Sequence, residues 1–245
     1  MEITWITGGG FIIESSGNRL VIDPYLSDVV EKTLGWTRLV PVPVKLEDLK
    51  PDIVFSTHDH IDHLDPEAIP KIAKYYPSCL FAGPGSVTVS LKEMSIDRKR
   101  ITRFDVGMKG EMLGFNLTAT PADHSDKYSV GLIVKVGDKK IYISGDTRYS
   151  KNLGKDILKA SGGKIDLALI CINGKFNNMN SDEAFSVIND IRPKIASPMH
   201  YGLFAENTED PASFVNKCGK AGIKTFLFTA GKPVELEKIL TGEKR

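Results

Sequence analysis

Three histidines and two aspartates fall within six residues, in His58-Asp59-His60-Ile61-Asp62-His63. Imidazoles packed this closely cannot all find ordinary partners. Neutral rings leave lone pairs unmatched, and protonated rings repel one another. A divalent cation resolves both problems by taking the lone pair of each neutral ring. His58 and His60 are two apart, so in an extended segment they point to one side and can chelate one ion. Asp62 and His63 lie further round the turn and reach a second. The other two of the five histidines have similar settings. His124 follows the apolar run Phe115–Thr120, and His200 follows Lys194–Met199. Asp146, in Ser144-Gly145-Asp146-Thr147, comes directly after Ile141-Tyr142-Ile143. No histidine is left for a separate acid or base, so proton transfer falls to Asp62, another carboxylate, Tyr201 or water.

Each of these groups sits just past a short β-branched run, the place where a sheet presents loops on a rigid scaffold. Runs of this kind occur at Ile3–Ile6, Phe11–Ile13, Leu20–Ile22, Ile53–Phe55, Phe115–Ala119, Val130–Val136, Lys140–Ile143, Leu167–Ile172, Ile195–Pro198 and Thr225–Phe228. Their lengths and their Gly, Pro, Asp or Asn borders predict strands. Helical spacing predicts helices over Pro66–Tyr76, Gly85–Met94, Leu153–Ala160, Asp182–Ile191 and Asp210–Ala221, with Asp65 and Ser181 as caps of the first and fourth. Ser16-Gly17-Asn18 and Gly137-Asp138 read as hairpin turns. Hairpins early and strand–helix alternation later predict an α/β fold with mixed sheets and helices outside. Ser27–Val44 lacks periodicity and, with Trp36, reads as a loop over a site. The charged tail Glu237–Arg245 reads as loose.

Composition narrows the function classes. The chain has 245 residues, 41% of them hydrophobic and 26% charged, which fits one globular domain over 1–245. Lys plus Arg number 32 against 31 Asp plus Glu, a balance with no electrostatic footprint for nucleic acid or an anionic membrane. The Arg98-Lys99-Arg100 run reads as a solvated face. No apolar run approaches the roughly 18 residues of a membrane span, and no secretory pattern opens the chain. Three scattered cysteines make neither a disulfide framework nor a CxxC site. Cytoplasmic residence and a small-molecule substrate are the resulting expectations.

The sequence resembles the metallo-β-lactamase fold superfamily. His58, His60, Asp62 and His63 match its HxHxDH signature, His124, Asp146 and His200 match the later ligand positions in order, and Asp23 matches the Asp that supports the metal loop. The resemblance implies a four-layer αββα sandwich with a dinuclear site at one edge. It implies that His58, His60 and His124 hold one ion, that Asp62, His63 and His200 hold the other, and that Asp146 bridges. Thr57–Asp65, Ser144–Ser150, Asn180–Ala184 and Pro198–Tyr201 are most similar to the L-ascorbate-6-phosphate lactonase group. The N-acylphosphatidylethanolamine phospholipase D group shares the GDT-x-Y pattern. The second-metal cysteine of the common zinc β-lactamases is absent, and the turn Thr7-Gly8-Gly9-Gly10 carries no histidine.

These features lead to the expectation of a metal-dependent hydrolase with two divalent ions, zinc or manganese. A bridging hydroxide would open a sugar-acid lactone; a phosphodiesterase acting on a phospholipid-like or nucleotide substrate is the alternative. Asp62 would shuttle the proton to the leaving alkoxide and Tyr201 would donate to the oxyanion. Arg148 and Lys175 (Lys127 also lies near) would meet a substrate phosphate, and Asn173, with Asn177 and Asn178 on the same loop, would make polar contacts. Related enzymes often associate, so a homo-oligomer is also within the expectation.

Overall fold

A computed structural model describes residues 1–242. The first half of the chain forms β1 (Glu2–Trp5), β2 (Phe11–Ser15), β3 (Asn18–Ile22), α1 (Val29–Leu34), α2 (Leu46–Leu49), β4 (Ile53–Phe55), α3 (Ala68–Tyr75), β5 (Leu80–Gly83), α4 (Gly85–Glu93), β6 (Ile101–Arg103) and β7 (Lys109–Met112). The second half forms β8 (Phe115–Pro121), β9 (Val130–Val136), β10 (Lys139–Ile143), α5 (Leu153–Ser161), β11 (Leu167–Cys171), α6 (Ser181–Ile191), β12 (Ile195–Met199), α7 (Ala212–Lys220), β13 (Lys224–Thr225), β14 (Val234–Glu235) and α8 (Leu236–Thr241). Two mixed sheets result, ordered β14-β1-β2-β3-β4-β5-β6 and β13-β12-β11-β10-β9-β8-β7. Helices cover their outer faces, giving the αββα sandwich.

The period-2 alternation of the first sheet divides its side chains between two layers. Leu20, Ile22, Ile53 and Phe55 face the second sheet, in one continuous core with Leu132, Val134, Ile141 and Ile143. Val21, Val54 and Phe81 face outward onto Ile69 and Ile72 of α3 and Val87 and Leu91 of α4. In the second sheet β11 is buried on both faces, so Leu167–Cys171 reads as an unbroken apolar run.

Strand direction places the chemistry. β3, β4 and β5 run parallel, as do β10, β11 and β12. β8 runs with β10 because both are antiparallel to β9. Asp23, the His58–His63 loop, His124, Asp146 and His200 therefore all leave C-terminal strand ends, and the two sheets bring those ends to one edge.

Several sequence expectations need correction. Five short strands, β5, β6, β7, β13 and β14, lie outside the apolar runs or overlap them by one residue at most. Thr225–Phe228 was expected as a strand, yet only Lys224–Thr225 joins the ladder. Beyond it the Phe226 and Phe228 rings meet edge to face, with Phe228 against Phe11. The tail is not loose throughout: α8 packs Leu236 and Ile239 into the core, while residues 243–245 lie outside the described residues. Both hairpin turns are present, with Ser15 paired to Asn18 and Val136 to Lys139. Asp65 does accept the amides of Glu67 and Ala68 at the start of α3. The cap of α6 is Asn180 rather than Ser181. Its side chain accepts from the Asp182 and Glu183 amides, and Glu183 returns a bond to the Asn180 amide, a capping box. Asn180→Ala is expected to lower stability by about 1 kcal/mol in urea unfolding, and Ser181→Ala to do less.

Candidate metal centre

The centre is built from a hydrogen-bonded scaffold inward. Asp23 follows β3 with φ +45°, a left-handed conformation that turns its fully buried carboxylate toward the loop after β4. The Thr57 amide and hydroxyl both donate to it at 2.7 Å, and His63 Nδ1 lies 2.8 Å away. A carboxylate accepts only, so His63 carries its proton on Nδ1 and presents Nε2 as a lone pair. The Thr57 hydroxyl directs its hydrogen to Asp23, so its oxygen accepts from His58 Nδ1 at 3.0 Å. His58 thus also presents Nε2.

Those nitrogens converge. His58 Nε2, His60 Nδ1 and His124 Nε2 form one group with His60 Nδ1 3.2 and 3.1 Å from the other two. His63 Nε2 and His200 Nε2 are 3.1 Å apart, with Asp62 Oδ2 at 3.7 and 3.5 Å from them. Asp146 joins the groups. Its Oδ1 lies 3.5 Å from His63 and 3.4 Å from His200, its Oδ2 3.9 Å from His124, and it clusters with His58 and His63. The seven expected ligands are thereby brought together as His58/His60/His124 and Asp62/His63/His200, with Asp146 between.

Divalent cations fit this donor set. Asp146 Oδ1 is buried without a hydrogen-bond partner although two imidazoles face it. Facing ring nitrogens cannot each hold a proton, so the lone pairs await an electrophile. Burial lowers His58 well below the usual imidazole range, with help from neighbouring His63. Burial also brings His124 down to about 4, so both rings are neutral ligands at pH 7. The other group demands positive charge. Burial would lower His63, but Asp146, Asp62 and Asp23 raise it well above its ordinary value. Burial would likewise raise Asp62, but His63 and His200 hold it at about 2.

Local backbone geometry enforces the approach. His200 has φ +60°, a strained conformation for a non-glycine residue, and its amide donates to Gly8 O at 3.0 Å. A Cβ at Gly9 would lie 2.7 Å from His63 Cε1. The glycine turn without a histidine is thus the backing of His63. Asn178 donates to Asp146 Oδ2.

Above the ligands opens a cavity of about 470 Å³. Asp59, His60, Asp62, His124 and Asp146 line its floor, and Trp36 and Asn178 are among the other residues on it. The remaining expected residues are placed elsewhere. Arg148 pairs with Asp123 at 3.4 Å and Lys175 is exposed; neither lines the cavity. Lys127 lies over the Tyr128 ring. Asn173 is buried one step back, donating to Asn207, which does line it. Tyr201 stacks on Trp5 at 5.1 Å, outside the lining. Sequence reasoning passed over Asn207, Val30, Leu34, Ile61 and Phe176. Ile61 sits inside the histidine motif; the others carry no periodicity that would reveal them.

The family described as the beta-lactamase superfamily domain matches residues 18–201. The chain belongs to the metallo-β-lactamase superfamily. A metal-dependent hydrolase of Thermoplasma volcanium is 32% identical over 248 residues, covering 96% of this chain and 99% of that protein. A metal-dependent hydrolase of Methanosarcina mazei is 30% identical over 252 residues, again covering 96% and 99%. Among solved structures, the metallo hydrolase Igni18 of Ignicoccus hospitalis superposes with a TM-score of 0.76 at 24% identity, covering 95% and 97% of the two chains. An isothiocyanate hydrolase from Delia radicum gut bacteria superposes at 0.75 with 17% identity, covering 96% and 98%. These two show the shared superfamily fold. Fold and ligand architecture together support a metal-dependent hydrolase.

Asp23→Asn removes an acceptor from two donors at once. It is expected to weaken divalent-cation affinity roughly 10–100-fold in a chelator competition. Gly9→Ala should weaken it in the same assay by displacing His63. Wild-type affinity in both variants would separate this scaffold from the metal centre.

Proposed function

We propose that the chain hydrolyses a cyclic ester, opening a lactone at the floor of the cavity. The observation that carries this reading is the shared carboxylate of Asp146 between two ligand groups, directly beneath an open cavity. His58, His60 and His124 would hold one ion, Asp62, His63 and His200 the other, with Asp146 between them. Nitrogen donors favour zinc, and the carboxylate share also admits manganese. When bound, such ions supply an acidified water and Lewis-acid polarisation of a substrate oxygen.

The protein's own groups do the positioning. Asn207 accepts from Asn173 through Oδ1, which leaves its amide Nδ2 to donate to the substrate carbonyl. Water attacks the carbonyl carbon, and Asp62, partly exposed on the floor, takes the proton released. As the ring C–O bond breaks, Asp62 returns that proton to the leaving oxygen. Tyr201, backing His200 through its stack on Trp5, holds the ligand loop rather than the substrate in this scheme.

An uncharged ester is favoured over a phosphodiester by the lining. Asp62 and Asp146 would be taken up by the ions, and among the described residues no lysine or arginine lines the rest of the cavity to meet a substrate phosphate. The sequence likeness to the ascorbate-phosphate lactonase group supports the lactone over an open-chain ester. The three cysteines are free and buried, which fits a reducing compartment, and we place the chain in the cytoplasm. No helix among the described residues is long and apolar enough to cross a membrane.

Chelation should abolish ring opening, and either zinc or manganese should restore it. His58→Ala and His200→Ala should each lose metal and activity. Turnover of a generic phosphodiester without any lactone would overturn the reading. Burial pushes Cys79 and Cys171 up to about 12 and Cys218 to about 11. The reactive thiolate is therefore scarce at pH 8. Iodoacetamide should leave the native chain unlabelled and modify three sites after denaturation.

A further inference from the structure

The walls of the cavity differ from its floor in chemistry and origin. Val30 and Leu34 come from α1, Trp36 from the segment after it, Ile61 from the histidine loop and Phe176 from the loop after β11. These five apolar side chains enclose the space above the ligands. Two remain open to solvent, Phe176 at 58% and Leu34 at 53% exposure. Large apolar groups clustered around a functional cavity, rather than scattered singly, mark a surface that a ligand covers.

The aromatic pair is held in place. The Trp36 and Phe176 rings lie 5.1 Å apart at 31°, and Trp36 also meets Phe204 at 5.9 Å. Phe204 is fully buried beneath, against Tyr25. Phe176 and Asn177 both have positive φ, +51° and +68°. That strained turn directs Phe176 toward Trp36 instead of letting the loop relax away. Asn178, next in the chain, donates to Asp146, so the wall is anchored to the floor.

The neighbouring cations Arg38, Arg148 and Lys175 do not line the cavity. The Arg38 guanidinium lies over the Tyr25 ring at 3.8 Å and donates to the Tyr25 and Ser27 carbonyls. Arg148 pairs with Asp123, and Lys175 is off the lining. A phosphate or carboxylate held away from the ligands would meet apolar carbon and the neutral side chains of Ser125, Asn178 and Asn207, with no lysine or arginine among the lining residues.

Resting on the hydrolase reading above, we infer that the cavity selects an uncharged lactone bearing an apolar chain or ring, gripped by Trp36 and Phe176. This inference takes a lipophilic lactone where the sequence led to the expectation of a sugar-acid one. The reacting ring lies over the floor, and the substituent runs along the wall toward Leu34. Trp36 and Phe176 are specificity-determining residues, distinct from the ligands.

The test uses the metal-loaded chain and γ-lactones from butyrolactone to dodecalactone, with a phosphorylated sugar lactone alongside. The expected kcat/KM rises about three- to fourfold per added methylene until the wall is filled. Trp36→Ala and Phe176→Ala should flatten that series, costing about tenfold or more on the long lactones and little on butyrolactone, with metal content unchanged. Trp36→Phe should restore most of the preference. A flat series, or preference for the phosphorylated lactone, overturns the inference while ring opening itself upholds the hydrolase reading. If no lactone opens, that reading fails instead, and binding decides the inference. Alkyl-substituted γ-lactams should then change tryptophan fluorescence with affinity that grows with chain length, a signal lost in Trp36→Phe. Affinity indifferent to length overturns it.

Discussion

The site depends on one buried carboxylate. Asp23 has no access to water, and three donors, the amide and hydroxyl of Thr57 and the ring of His63, satisfy it. Removing a buried ion from water is costly unless every lone pair is met. The arrangement therefore holds only if Thr57 and His63 stay where they are. The same bonds dictate which nitrogens of His58 and His63 carry protons. One electrostatic demand thus fixes loop position, ring orientation and tautomer together.

The second constraint is the seam between sheets. Val130 N donates to Thr57 O at 3.1 Å, which ties β9 to the end of β4. His200 N donates to Gly8 O, which ties the end of β12 to the turn between β1 and β2. Gly145, at φ +57°, packs where a Cβ would meet Val130 O at 2.9 Å and Thr57 Cβ at 3.1 Å. These contacts allow Asp146, on the second sheet, to approach ligands on the first. The floor is thus backed by two sheets and the core between them, which accounts for its precision despite standing on loops.

Legibility in the sequence followed physical necessity. Three imidazoles in six residues have few solutions, so the ligand loop was readable, and strand ends carried His124, Asp146 and His200 to it. Central strands were readable where burial on both faces demands a long apolar run, as in Leu167–Cys171, but the short interior strand Leu80–Gly83, ending in Ala-Gly, was not. Edge strands were not. Ile101–Arg103 and Lys109–Met112 have little buried surface, so no alternation betrays them. The six-residue α1 lacks a side-chain cap and is too short for a period to emerge. The Phe226 and Phe228 pair shows the opposite error, since apolar residues suited to a strand serve instead as aromatic packing. Arg148 and Lys175 were near the ligand loops in sequence, but proximity along the chain does not fix which way a side chain turns.

Floor and wall answer to different forces. Ligand positions are over-determined by buried hydrogen bonds and close backbone contacts, so small changes there propagate into the sheets. The wall stands on α1, the segment after it, Ile61 of the histidine loop and the loop after β11, with Leu34 and Phe176 exposed and Asn178 bonded to Asp146 beneath. Trimming a wall side chain changes the apolar surface offered to a ligand but leaves Asp23, Thr57 and the imidazoles in register. Reaction class and substrate class are therefore separable in this molecule. On the proposed reading, five histidines and two aspartates would hold the ions that break the bond, and a handful of apolar side chains would select the molecule that presents it.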